Sequence, residues 1–437
     1  MGSSQHTSHS SRRVSVVLAG LAIVAASCAG SDGDTAATTP ATEAPAASEA
    51  PVVTTAPADT AAPVATDAPT DAPTDTAAPA ATEPPEPDQD PDVDLDLAHG
   101  DYEVGVQTIT ITDTSGGDRD LTVDVWFPLI DGASDGAAAH QYTLFPDTYY
   151  ESPFAFAVGP ESIASDGPFP LVIYSHGSGG LRYIHSNYTE ALASNGYIVA
   201  APDHTGNTAV DRLLETEVDG AVTAFNRPND VQRVINAFLD PESTETADFV
   251  ASVNPGQIAV TGHSFGGFTA YAMASGFSNE FGEFIADERV SAIITLAPAT
   301  GPLSDDELLS IRIPALVMAG TDDVTTPIDP NVTRPWNQSA SSPSYRVDLT
   351  AAAHETFTDL CAYQAFLPTL SNALPIVIDT INERDEAGCG PESMPIERAQ
   401  AITNTFAVAF LDETFKGSEM IKIDEVDEQT DLVFQAE

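Results

Sequence analysis

Five residues, Gly262-His263-Ser264-Phe265-Gly266, set a serine between two glycines, directly after the apolar run Ile258 to Thr261 and before the helix-compatible stretch Gly266 to Ala274. In a strand-turn-helix of this kind the glycines let strand and helix approach around a sharp turn, which pushes the serine hydroxyl out at the end of the strand. A serine hydroxyl is a poor nucleophile at neutral pH and needs a general base, itself oriented by a carboxylate. At such turns the acid and the histidine follow the serine along the chain. The chain has 9 histidines, and His354 alone lies beyond Ser264. Two aspartates compete for the acid, Asp322 and Asp323, in the turn after Ala315-Leu-Val-Met-Ala-Gly320. Attack on a carbonyl creates an oxyanion, for which backbone N–H groups are the usual partners. The amide of Phe265 is one expected donor. The other is expected from His176-Gly177-Ser178-Gly179-Gly180, at the amide of Ser178 with Gly177 as the alternative, since glycine lets the main chain approach a substrate closely.

These residues need a scaffold that brings strand ends together. Alternating patterns at Val104 to Thr112 and Leu121 to Phe127 predict antiparallel strands. Beyond them, short apolar runs at Leu171 to Tyr174, Tyr197 to Ala201, Ile258 to Thr261, Val290 to Leu296, Ala315 to Ala319 and Tyr345 to Leu349 alternate with helix-compatible stretches. Those stretches are Tyr188 to Ser194, Asp230 to Leu239, Gly266 to Ala274 and Ala399 to Leu411. Strand-helix alternation implies parallel strands with right-handed crossovers, hence one α/β sheet covered on both faces. In open α/β sheets, sites lie beyond the carboxyl ends of the strands, where every candidate above falls. The segment from Thr208 to Asn226 is expected to form a rim over the pocket.

The 437 residues carry 66 acids against 15 bases, a formal net charge of -51. Such a field repels phosphate backbones, which excludes nucleic acid as a partner. It also favours neutral over anionic substrates. Residues 14 to 27 form an uncharged apolar run after Arg12 and Arg13, too short to span a bilayer and ending in small residues, as an export signal does. Ala25-Ala-Ser-Cys28 resembles a bacterial lipobox, so residues 1–27 are expected to be removed and Cys28 acylated, giving a cell-envelope lipoprotein, with plain secretion as the alternative. The arginine pair leaves the general and twin-arginine export routes open. From Ser31 to Leu97 there are 12 Pro, 15 acids and no Lys or Arg. That composition cannot offset its own ordering entropy, so 28–97 reads as a disordered linker and 98–437 as a single catalytic domain. The domain retains a formal charge of -38 once the linker's acids and the two early arginines are set aside. With Cys28 assigned to the anchor, Cys361 and Cys389 are expected to pair as a disulfide in an exported protein.

Taken together, His176-Gly-Ser-Gly-Gly180, Ala201-Pro-Asp-His-Thr-Gly-Asn207, Asn226-Arg-Pro-Asn-Asp230, Gly262-His-Ser-Phe-Gly-Gly267 and Ala353-His354 with Phe357 and Cys361 resemble a known family. It is the platelet-activating factor acetylhydrolase and predicted dienelactone hydrolase-like branch of the α/β-hydrolases. The resemblance covers roughly residues 100 to 415. It implies an α/β-hydrolase fold and a Ser264-Asp323-His354 carboxylic-ester hydrolase that needs no metal or cofactor. The spacing Gly320-x-x-Asp323-x-x-x-Pro327 matches the acid turn of many hydrolases and favours Asp323, leaving Asp322 as a turn-capping residue. Two departures stand out. Dienelactone hydrolases proper use a cysteine nucleophile, where this chain has Ser264. The acetylhydrolase branch takes its acid from the loop after the next strand, and Leu296-Ala-Pro-Ala-Thr300 contains none. Rival readings are a secreted polyester hydrolase and an inactive lipid-anchored binding protein on the same scaffold. A metal site from His176, Asp203 and His204 lacks a ligand spacing to recommend it.

Overall fold

The computed structural model of the chain describes residues 99–114, 119–145, 148–366, 388–418 and 431–437. The expected export signal, Cys28 and the 28–97 linker lie outside these residues. Thirteen strands are present among them: β1 Val104–Ile111, β2 Leu121–Pro128, β3 Ala139–Phe145, β4 Thr148–Phe156, β5 Phe169–Ser175, β6 Ile198–Pro202, β7 Val253–His263, β8 Phe277–Asn279, β9 Gly282–Phe284, β10 Val290–Leu296, β11 Ala315–Gly320, β12 Ser344–Leu349 and β13 Leu432–Ala436. Eleven form one sheet in the order β13-β12-β11-β10-β7-β5-β6-β2-β1-β4-β3, and β8 and β9 make a separate hairpin. The run from β12 to β6 is parallel. β2 joins β6 antiparallel and β13 closes the other edge antiparallel on β12.

Side-chain alternation along β5 explains why the sheet is covered twice. Leu171 and Ile173 face a core that contains Val231, Val234, Ile235 and Phe238 of helix α3, and Phe268 and Ala272 of helix α5. Val172 and Tyr174 face the other core, with Tyr188 and Leu192 of helix α1 and Ile402, Phe406 and Phe410 of the helix Ile396–Lys416. The labelled helices span Ser186–Ser194 (α1), Ala209–Leu214 (α2), Gly220–Leu239 (α3), Ala247–Val250 (α4) and Phe265–Ser275 (α5). Phe238 and Phe406 are fully or almost fully buried, each contributing on the order of 2–3 kcal/mol of burial energy.

Several elements depart from the pattern reading. The segment Thr208 to Asn226, expected as a rim over the pocket, holds α2, opened by a capping box between Thr208 and Asp211, and the first turns of α3. α3 starts ten residues earlier than the periodicity suggested, capped by the Asp219 side chain, and continues through Pro228, forgoing one ladder bond there. The β3–β4 hairpin has no alternating apolar pattern strong enough to announce it. It is tied down by a buried polar chain instead: Trp126 Nε1 donates to Tyr142 Oη at 2.8 Å, and Tyr142 donates to Glu190 Oε1 at 2.6 Å.

Burial raises the Glu190 carboxyl to about 8, against the opposing hydrogen bonds from Tyr142 and Ser152. An unfolded glutamate titrates near 4.3, so from about pH 5 to 8 the folded state holds a proton that the unfolded state has lost, and stability falls as pH rises. Glu190→Gln keeps an acceptor for Tyr142 and removes this titration. The variant is expected to lose less melting temperature than the parent between pH 5 and pH 8 in parallel thermal scans; equal losses would show that Glu190 is ionised in the fold.

Candidate active site

The parallel order reverses around β5, with β6 on one side and β7 on the other, and the loops after β5 and β7 meet at that switch point. A Cβ on Gly266 would stand 1.7 Å from the Ser175 carbonyl oxygen, and one on Gly262 would lie 2.5 Å from the Gly266 backbone. Both positions therefore require glycine. The close approach leaves Ser264 at φ 57°, ψ -117°, a left-handed conformation that a serine adopts only under constraint. Its amide donates to Leu296 O at 2.9 Å and its carbonyl accepts from the Ala299 amide at 3.0 Å, which fixes the turn between β7 and α5 against the end of β10.

The glycine-rich loop after β5 lies against this turn. A Cβ on Gly177 would be 3.3 Å from Ser264 Cβ and 3.3 Å from His263 Nδ1. Ser178 follows, its hydroxyl accepting from Asn207 Nδ2 at 3.2 Å, and the Gly179 amide donates to the Asn207 carbonyl. Phe265 opens α5, where the amides of a first helical turn have no acceptor inside the helix. Gly177, Ser178, Ser264 and Phe265 are thus gathered at one end of β5 and β7.

His354 and Asp323 arrive from the turns after β12 and β11. His354 Nδ1 donates to Asp323 Oδ2 at 2.7 Å, with both side chains buried. Asp322 is exposed, its amide bonded to Ala352 O. Asp323 Oδ1 also accepts from the amides of Thr325 and Thr326, both at 2.8 Å, and Thr326 Oγ1 stands 2.8 Å from Oδ2. Burial pushes the Asp323 carboxyl up, but the bonds to His354 and Thr326 outweigh it and hold it below the usual value. Burial likewise pushes His354 down, and the Asp323 carboxylate, with Glu355 beside it, carries it above the ordinary histidine value. His263, next to Ser264, donates from Nε2 to the His354 carbonyl at 3.0 Å, so the turn bearing His354 is fastened to the serine turn. Burial keeps His263 neutral. The contribution of Thr326 was not read from the sequence; its only signal was its place three residues after Asp323.

Other acidic residues are engaged locally. Asp348 pairs with Arg346, and Asp359 binds the start of α1 through Ser186 and Asn187. Asp203 is bonded to Arg182, and among the described residues no three His, Cys, Asp or Glu side chains could hold a metal ion. Cys361 and Cys389 form a disulfide across 28 residues. Beside it, a Cβ on Gly388 would be 2.6 Å from Thr356 Oγ1 and 2.9 Å from Ala353 Cβ, so this clamp presses on the turn that carries His354.

Two measurements follow from this geometry. With His354 as the base of an ester hydrolase, the kcat/KM profile should rise with pH through a limb lying above the ordinary histidine range, because Asp323 holds the proton on. Asp323→Asn should cut kcat by about 10³- to 10⁴-fold and move the limb to lower pH; an unmoved limb would assign it to another group. Replacing both Cys361 and Cys389 by alanine should lower unfolding free energy by about 3.5 kcal/mol, the entropy of a loop of this length, as read by denaturant titration.

Comparison with known proteins places the chain in a family. Residues 114–221 match the model of platelet-activating factor acetylhydrolase, isoform II, and residues 172–406 match that of the alpha/beta hydrolase family. Chlorophyllase type 0 of Chenopodium album is 28% identical over 151 residues, 33% of this chain and 38% of that protein. The platelet-activating factor acetylhydrolase of Cavia porcellus is 26% identical over 171 residues, 32% of this chain and 37% of the relative. The chain thus spans under two fifths of the length of these curated relatives. A solved ferulic acid esterase from Streptomyces cinnamoneus shares the fold with a TM-score of 0.56 at 24% identity, over 76% of this chain and 96% of the other. With the second of the two family models covering more than half of its length, the chain belongs to the alpha/beta hydrolase family.

Proposed function

We propose that the chain is a serine carboxylic-ester hydrolase acting through Ser264, His354 and Asp323. The observation that carries this reading is the buried 2.7 Å pair of His354 and Asp323, fastened through His263 to the turn that strains Ser264. The matched relative named an acetylhydrolase lends support from sequence.

In this mechanism the Ser264 hydroxyl oxygen bonds to the ester carbonyl carbon while His354 Nε2 takes its proton. The carbonyl electron pair moves to oxygen, and the amides of Phe265 and Ser178 stabilise the resulting oxyanion, each worth on the order of 3 kcal/mol. Collapse of the tetrahedral centre breaks the bond to the leaving alkoxide, which receives the proton from His354. Water, deprotonated by the same imidazole, then attacks the acyl-enzyme and frees Ser264. Asp323 stays ionised throughout, holding a proton on Nδ1 so that Nε2 can accept from Ser264, and stabilising the imidazolium that results.

The acidic surface supports neutral small-molecule or lipid-like esters as substrates. The apolar run at residues 14 to 27 and the Ala-Ala-Ser-Cys28 sequence support export with an acylated Cys28, and the acidic linker a domain held away from that anchor. Ser264→Ala is expected to lower hydrolysis of short p-nitrophenyl esters by about 10⁶-fold with the fold intact by circular dichroism. Parent-level turnover in that variant would overturn the reading.

A further inference from the structure

The Asn226-Arg227-Pro-Asn-Asp230 stretch has no part in the triad, yet Arg227 is among the largest fully buried side chains described. It reaches from α3 to the loop after β5. All five of its N–H groups are used, and no carboxylate is among their partners. Nη1 donates to His176 O at 2.6 Å and to Ser175 Oγ at 3.2 Å. Nη2 donates to Gly177 O at 3.0 Å and to Asn207 Oδ1 at 2.7 Å, and Nε donates to Asn207 Oδ1 at 3.1 Å. Its guanidinium carbon also lies 5.0 Å from the ring centroid of Phe265.

Two consecutive peptide carbonyls are therefore pinned by one cation. In a trans peptide the C=O and the N–H point in opposite directions. Turning the His176 and Gly177 carbonyls toward Arg227 turns the amides of Gly177 and Ser178 to the opposite side of the loop. The Gly177 carbonyl also accepts from His176 Nδ1 at 2.7 Å and from the Gly180 amide at 3.1 Å. Hydrogen bonds to a carbonyl polarise its peptide and strengthen the attached N–H as a donor. That N–H belongs to Ser178.

The surrounding network has a consistent proton assignment. His176 Nε2 accepts from the His204 amide, so Nδ1 carries the hydrogen given to Gly177 O. Ser175 Oγ accepts from Arg227 and donates to His204 Nε2, whose Nδ1 donates to Asp230, already held by both terminal nitrogen bonds of Arg119 Nη2. Arg227 is thus relieved of a direct carboxylate partner, and its charge falls on the loop carbonyls.

We infer that Arg227, braced by Asn207, is the positioning residue of the oxyanion hole, holding the Ser178 amide in the donor orientation that meets the developing oxyanion. This rests on the ester-hydrolase reading above. A purely structural strut would weaken substrate and transition state together, or weaken only the fold. A positioning residue separates them.

The test compares Arg227→Met, Arg227→Lys and Asn207→Ala with the parent, using a p-nitrophenyl ester, a trifluoromethyl ketone that forms a tetrahedral adduct with the serine, and the product acid as a ground-state ligand. Arg227→Met is expected to lower kcat by about 10²- to 10³-fold with KM within threefold. The ketone should weaken by the same factor, and product inhibition should stay unchanged. Lysine, which retains charge without the fork, should recover less than a tenth of the loss. Asn207→Ala, whose guanidinium is still present, should show the same split with a smaller loss, and it supplies the reading if Arg227→Met does not fold. Equal loss of ketone and product affinity, or an unchanged kcat in a folded variant, overturns the role of Arg227. Absence of fluorophosphonate labelling at Ser264 in the parent overturns the hydrolase reading itself, and this inference with it.

Discussion

The site depends on one close approach of backbone to backbone, the turn after β7 against the end of β5. The distance available at Gly266, 1.7 Å from a hypothetical Cβ to the Ser175 carbonyl, admits no side chain. Because the strands are parallel neighbours, that contact sets the serine turn and the glycine-rich loop side by side at a switch point of the sheet. The positive φ of Ser264 follows from it, and so does the place of Gly177 beside the Ser264 Cβ. A loose turn at this point would separate Ser264 from the glycine-rich loop even with every residue type retained.

Electrostatics then differentiates residues that look alike. Two buried histidines, His354 and His204, each face a buried aspartate through Nδ1, at 2.7 and 3.1 Å. Their proton affinities diverge. Asp323 is supported by uncharged Thr325 and Thr326 donors, so its charge is available to His354, whose pKa rises. Asp230 is already paired with Arg119, and burial together with the nearby Arg227 and Arg119 drives His204 well below its ordinary value. One pair favours the protonated histidine and the other the neutral one, a difference set by neighbouring cations rather than by the pair itself.

Much of the site was legible in the sequence because its determinants are local. The Gly-x-Ser-x-Gly turn is a contiguous steric device, and chain order singles out His354 among the histidines. The parallel sheet is legible for the same reason, since apolar runs buried on both faces need no partner to be recognised. Weaker elements were not legible. The β3–β4 hairpin is held by the Trp126, Tyr142 and Glu190 chain, whose members are 16 and 48 residues apart. The continuation of α3 through Pro228 depends on tertiary packing that outweighs local propensity.

What the sequence determined by itself is the kind of chemistry and its order along the chain: a strained serine, a single histidine after it, and an acid in the turn after Gly320. It could not choose between adjacent Asp322 and Asp323 by environment, or give Arg227 a partner. The tertiary structure decided these, exposing Asp322, burying Asp323 on His354, and turning Arg227 onto the carbonyls of His176 and Gly177. The reason is that burial, charge pairing and peptide orientation are properties of groups brought together from distant parts of the chain. No spacing along one segment encodes the direction in which a carbonyl fifty residues away will point.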